Sequence, residues 1–269
     1  MRQKKLFLER KKISRFLSLI AAVLVIGISG CSTPATDPKD TESAANAAAG
    51  LPAYMGDAYV VINNNIPFFT EEEMSETSYE SYGALDSLGR CTTCVASVGT
   101  DLMPTEERGS IGSVKPTGWH TIKYDFVDGR YLYNRCHLIG YQLTAENANE
   151  KNLITGTRYL NIEGMLPFEN MVGDYVRETK NHVMYRVTPV FTGDNLLADG
   201  VLMEGKSVED DGEGILFCVF AYNVQPGVVI DYATGESREA DNTSDENNTK
   251  YSDTANDGTS SDVDTGQTE

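Results

Sequence analysis

Positive charge is scarce in this chain. It carries 22 Lys and Arg against 40 Asp and Glu, a net charge of −18 over 269 residues. A field of that sign repels nucleic acid at long range, so a polyanionic ligand would have to be held by local cations or a bound metal. Histidine occurs three times and tryptophan once. Cysteine is limited to five, and the one close pair, Cys91-Thr-Thr-Cys94, has neither a second C-x-x-C nor paired histidines to complete a zinc site. Nothing around it suggests a thioredoxin-like βαβ unit. It is either a local disulfide of an extracellular protein or a pair of buried thiols. No internal repeat is found, and the glycines around 109–118 carry no phosphate-loop pattern.

A long hydrophobic run is missing too. The longest, FLSLIAAVLVIGISG, has about 15 residues, short of the ~20 that span a bilayer. It follows a basic stretch and ends at a small-residue site directly before Cys31. This resembles a bacterial lipobox. The resemblance implies cleavage before Cys31, a lipid on its sulfur and attachment to the outer face of the cytoplasmic membrane. The plainer alternative is an ordinary secretory signal or anchor helix with a chance cysteine.

What is present sorts into four segments: a signal at 1–30, a small, polar tether at 31–50, a domain at 51–232 and a tail at 233–269. The tail is acidic and nearly free of apolar residues, so it is expected to be disordered. The domain has enough residues for a proper core. Charge is uneven within it. Residues 130–186 hold seven basic and six acidic residues, the least acidic stretch.

Residues 56–65 read as a strand, and Thr70 with Glu73 has the capping-box spacing of a short helix start. Residues 81–99 suggest paired strands, and 121–134 a strand, an Asp-Gly turn and a strand. Phe168, Met171, Val172, Tyr175 and Val176 recur at helical spacing behind Pro167. Three strand-like runs follow, from Asn181, Gly200 and Gly214. The class is α+β: a central antiparallel sheet with a motif loop and a helix inserted before its last strands.

The motif stretch gathers Arg135 and His137 with Asn152, Arg158 and Asn161. Phosphodiester hydrolysis needs a base, charge stabilisation on the phosphoryl oxygens and help for the leaving oxygen. A neutral imidazole suits the first, and guanidinium the second. An amide carbonyl suits a single Mg²⁺ that keeps most of its waters. Taken alone, each residue has a plainer role: a core histidine, an N-cap for Asn161, a dipole partner for Glu169.

Together, Asn134-Arg135-Cys136-His137 and Lys151-Asn-Leu-Ile-Thr-Gly-Thr-Arg-Tyr-Leu-Asn161 resemble the DNA/RNA non-specific endonucleases, the ββα-metal (His-Me finger) family with a D-R-G-H signature. The secreted bacterial DNA-entry nuclease and streptodornase-like branch is the most similar. There a Lys-Asn block precedes the metal Asn by nine residues and a Glu follows it by eight, as Asn152, Asn161 and Glu169 do here. The resemblance implies a Mg²⁺-dependent enzyme (Mn²⁺ substituting) that cuts DNA and also RNA, with His137 as general base. It also implies Asn161 as metal ligand, Glu169 on metal-bound waters, Asn152 shaping the loop or assisting the metal, and Arg135 on phosphate. Arg158 has no firm counterpart; its expected role is transition-state charge, with Lys151 as a further nucleic-acid contact. Two positions depart from the signature, Asn134 for Asp and Cys136 for Gly. His120 and His182 read as structural. The rival function is a non-catalytic surface lipoprotein that binds extracellular DNA or another envelope ligand. No obligate protein partner is evident from the sequence.

Overall fold

A computed structural model describes residues 50–241. The signal, Cys31, the tether up to residue 49 and the tail beyond 241 lie outside the described residues. A six-stranded antiparallel sheet forms from β1 (Tyr59–Val61), β2 (Tyr79–Tyr82), β3 (Cys94–Val98), β6 (Val183–Val190), β7 (Gly200–Ser207) and β8 (Leu216–Tyr222), in the order β1-β8-β7-β6-β3-β2. Between β3 and β6 the chain makes an inserted hairpin of β4 (Tyr133–His137) and β5 (Leu153–Thr157), with a short helix α1 (Tyr141–Thr144) in its connection. A π-helical turn (Leu160–Met165) then leads into α2 (Leu166–Thr179). The two inserted strands and the helix behind them are the ββα unit.

Strand alternation decides the layers. Tyr185, Val187, Val201, Met203, Phe217, Val219 and Ala221 face one side and share a core with Phe168, Val172 and Val176 of α2. Phe168 sets its ring 4.9 Å from Phe217 and 4.9 Å from Tyr59. Leu202, Cys218, Phe220 and Tyr222 face the other side, under Leu51, Tyr54, Ile62 and Phe68 of the N-terminal segment. On this second face Arg186 bridges Glu204, which is 2 % exposed, and Glu73. Breaking such a pair by removing one partner strands a buried charge.

Three expectations from the sequence need correction. The Thr70 backbone N–H does donate to Glu73 Oε2 at 2.7 Å, but only a turn forms, and the Glu73 carboxylate is also engaged by Arg186. The strand expected over 56–65 shrinks to three residues, because Asn63, Asn64 and Asn65 turn left-handed (φ 49, 53 and 66°). Asn tolerates that conformation, and the Asn65 amide then hydrogen-bonds the backbone of Leu216 and Cys218 in place of a strand partner. The hairpin over 121–134 keeps its turn but only a single bridge, Lys123 to Tyr131.

Order also reaches past residue 232, into the segment assigned to the tail. β9 (Val228–Ile230) pairs with β10 (Ser237–Glu239) around a turn at Gly235 (φ +86°). A Cβ at Gly235 would lie 2.0 Å from the Gly118 carbonyl oxygen, so only glycine closes the turn there. Tyr133 Oη donates to the Gly235 carbonyl at 2.9 Å, and Ile230 joins Leu132, Tyr133 and Leu197 in a third core cluster. A chain ending at 232 is therefore expected to be less stable than one ending at 241, by roughly 2–4 kcal/mol for the lost hydrogen bond and uncovered apolar surface. Denaturant unfolding of the two chains checks this.

Candidate active site

β4 ends at His137 because the chain turns there onto α1. The turn is fixed by Asn152, at the mouth of β5. Its side chain is fully buried, accepts from the Ile139 N–H at 2.9 Å and donates to the Ile139 carbonyl at 2.9 Å. Its own carbonyl accepts from the Leu138 N–H at 2.9 Å. Both ends of the amide are thus engaged by the backbone of Ile139, an arrangement that shapes the loop. Asn152 does not itself line the cleft. The thiols of the C-T-T-C pair sit beneath the same turn. Cys91 Sγ lies 3.3 Å from the carbonyls of Glu150 and Leu153, and Cys94 Sγ 3.4 Å from that of Lys151. All four cysteines among the described residues are free and buried, which settles the disulfide alternative in favour of thiols.

His137 is 7 % exposed. Its Nε2 lies 2.8 Å from the Asn147 carbonyl oxygen, which can only accept, so Nε2 carries the proton and Nδ1 the lone pair. Burial pushes its pKa down to about 4; the bond to Asn147 opposes this and the Arg108 charge adds to it. The imidazole is thus neutral near pH 7 with one basic nitrogen. That nitrogen faces Arg108, whose Nη2 is 3.3 Å away.

Asn161 and Glu169 are eight residues apart, which on a straight α-helix leaves them about 80° out of phase at ~100° per residue. The π-turn from Leu160 to Met165, closed by the Leu166 N–H on the Asn161 carbonyl, inserts the equivalent of one residue and brings them to within about 20°. Both then line one cleft, of about 830 Å³, with His137, Arg108, Arg135 and Arg158. Gly164 permits the turn to approach the sheet, since a Cβ there would already be 3.2 Å from Ala221 Cβ.

Glu169 is half-buried and lines the cleft, and burial pushes its carboxyl up to about 7, partly offset by Arg108. Gly140 makes room for it, because a Cβ at 140 would lie 2.7 Å from the carboxylate. Asn161 Oδ1 accepts from the Cys136 thiol at 3.2 Å. That thiol is fully buried and turned away from the cleft, so it anchors the amide from behind. Gly156 leaves space for it: a Cβ there would be 2.4 Å from Cys136 Sγ.

The remaining candidates are placed as follows. Arg135 stacks on Trp119, 4.0 Å from its ring centroid, and donates to the carbonyls of Val114 and Gly112, the latter at 3.1 Å. It pins the 112–114 loop to the cleft wall. Arg158 pairs with Asp128 through Nε (3.0 Å) and Nη2 (2.7 Å) at the rim. Lys151 is exposed on the turn before β5 and does not line the cleft. Asn134 does line it. His120 bonds the Thr234 carbonyl, and His182 bonds Glu209 and Ser78, all outside the cleft. Arg108, Asn147 and Trp119 were not singled out from the sequence. Arg108 lies 29 residues before His137 in a loop without periodicity, so no local pattern joins them.

Among the described residues no group of three or more His, Cys, Asp and Glu is placed to hold a metal. The cleft offers instead amide oxygens, that of Asn161 among them, and the Glu169 carboxylate, which is costly to ionise alone. Such a set fits a mostly hydrated, hard divalent cation better than a zinc cage.

A family model described as DNA/RNA non-specific endonuclease matches residues 70–209. Two structures of NucA from Streptococcus agalactiae share the fold. One has no metal bound (TM-score 0.63, 24% identity, 76% of this chain and 98% of that one); the other has a magnesium ion bound (TM-score 0.64, 23% identity, 76% and 99%). The Sda1 nuclease with bound zinc ion is similar at TM-score 0.51 and 27% identity, over 60% of this chain and 82% of its own.

Two measurements check the site's construction. In EDTA, the His137 ring is expected to titrate by NMR near pH 4 instead of the ordinary 6.5. Between those values the unfolded chain binds the proton and the folded chain does not, so stability must fall as pH drops through that window. Gly156→Ala is expected to cost about 1–3 kcal/mol through overpacking. Combined with Cys136→Gly, part of that loss should return, giving a measurable coupling in a double-mutant cycle.

Proposed function

We propose that this chain, which belongs to the DNA/RNA non-specific endonuclease family, hydrolyses phosphodiester bonds with His137 as general base and one divalent cation held at Asn161. The observation that carries this is the single basic nitrogen of His137, fixed by its Nε2–H bond to the Asn147 carbonyl and facing the same cleft as Asn161 and Glu169.

The chain's residues divide the work. His137 Nδ1 takes a proton from the attacking water; a neutral imidazole at the site does this without first losing a proton of its own. Arg108 holds that nitrogen in this structure and transfers its guanidinium to a phosphate oxygen when a substrate lies in the cleft. Arg158 faces the same charge from the rim once Asp128 releases it, and Arg135 acts through the loop it pins. Asn161 would hold the cation through Oδ1, with Glu169 on its waters, and Asn152 keeps the whole turn in register. When bound, the cation supplies positive charge to the phosphoryl oxygens and to the leaving 3′-oxygen. Mg²⁺ suits the hard oxygen donors, with Mn²⁺ as substitute. The products are 5′-phosphate and 3′-hydroxyl ends, from DNA and from RNA.

The N-terminal pattern supports an extracellular place for this activity. The short apolar run before Cys31 favours a lipid-tethered protein on the outer face of the membrane. The alternative, a non-catalytic DNA-binding lipoprotein, has no observation in its favour within the cleft.

Supercoiled plasmid incubated with the protein is expected to be cut in Mg²⁺ or Mn²⁺ and untouched in EDTA, with His137→Ala slower by a hundredfold or more. Full activity in that variant refutes the base assignment. Because the Glu169 carboxyl sits near pH 7 on its own, cation binding at that pH is expected to release protons. Calorimetry in buffers of different ionisation heat measures the release, and Glu169→Gln should abolish it.

A further inference from the structure

We propose that Tyr131 is a stacking platform for an unpaired base, so that the cleft prefers single-stranded nucleic acid over a closed duplex. This rests on the nuclease reading of the cleft and names its substrate more narrowly.

Tyr131 lies two residues before β4, the strand that ends at His137. Tyr131, Tyr133, Asn134, Arg135 and His137 all line the cleft, while Leu132 and Cys136 are fully buried in the core. A nucleic-acid strand laid along this row would meet His137 at one end and Tyr131 at the other. Six residues at no more than about 3.3 Å each put the two ends at most roughly 20 Å apart, a distance of several nucleotides.

The aromatics in the row are not equivalent. Tyr133 is 3 % exposed and its hydroxyl is spent on the Gly235 carbonyl. Trp119, beside them, has Arg135 laid over its ring. Tyr131 is 46 % exposed, and the Lys123 ammonium sits 4.4 Å from its ring centroid. A ring backed by a cation and open to a cleft with three arginines is suited to a base with phosphates on either side of it. A lipid tail or an apolar peptide would bring no anionic group to those arginines. In a duplex each base face is covered by its neighbours, so only an unpaired base can lie flat on the ring.

The test uses the full chain with a fluorescein-labelled single-stranded 20-mer and the same sequence as a duplex. Binding is measured in EDTA and cleavage in Mg²⁺, for wild type, Tyr131→Phe and Tyr131→Ala. Wild type is expected to bind the single strand more tightly than the duplex. Tyr131→Ala should lower single-strand affinity about tenfold, within the range for one lost base stack, and reduce the single-to-double-strand ratio of kcat/KM through KM, since the ring is remote from the chemistry. Tyr131→Phe keeps the platform and should behave as wild type. An unchanged ratio in Tyr131→Ala, or a wild type that prefers duplex, overturns the proposal. The EDTA arm separates it from the nuclease reading. Absence of cleavage by wild type would sink that reading alone, whereas single-strand binding indifferent to Tyr131→Ala sinks the stacking whatever the cleavage shows.

Discussion

The site depends on one buried amide. Asn152 closes the ββ hairpin by bonding the backbone of Ile139 with both ends of its side chain, while its carbonyl takes the Leu138 N–H. A buried amide so placed is fully satisfied, and any residue lacking either end would leave a backbone group unpaired in the core. That closure sets where β4 stops. It therefore sets where His137 stands and where the 140–149 connection returns to give His137 its Asn147 carbonyl. The Cys91 and Cys94 thiols grip the same turn from below. A clamp so far inside the fold can be rigid without touching a substrate.

The second constraint is a helical phase error. Without the π-turn, the amide of Asn161 and the carboxylate of Glu169 would point to different sides of their helix. With it, they share a cleft with His137. The cost is a less regular turn, offset by Gly164 packing close to β8 and by Phe168, Val172 and Val176 anchoring the helix that follows. Charge follows the same logic. A chain of net charge −18 concentrates three arginines at one cleft, and two of them are held by partners that fix their direction: carbonyls for Arg135, Asp128 for Arg158.

Much of this is legible in the sequence, and unevenly so. The helix after Pro167 follows from periodicity, because it buries one face, and the sheet strands after Asn181 follow from their apolar runs, because β7 and β8 are buried on both faces. His137, Asn161 and Glu169 follow from motif spacing. Which way a polar side chain spends its hydrogen bonds does not follow. Asn152 and Arg135 have the right chemistry for a metal or a phosphate, yet in the fold the amide of Asn152 bonds the backbone of Ile139 and Arg135 bonds the carbonyls of Val114 and Gly112. Arg108 escapes notice because a loop without period gives no hint of its contact 29 residues on. The β9–β10 hairpin is hidden by the acidic composition around it; its order comes from Gly235 fitting against Gly118, a contact no local pattern reports.

The central claim is that His137 acts as the base from a fixed tautomer while Asn161 serves the cation. Chemical rescue tests this most directly. Single-turnover cleavage of a labelled oligonucleotide is measured in Mg²⁺ for His137→Gly and Asn161→Ala, with and without added imidazole. The account predicts that imidazole restores part of the lost rate in His137→Gly, because it replaces the missing base, and does nothing for Asn161→Ala. Equal restoration in both variants, or a His137→Gly rate already equal to wild type, would contradict it.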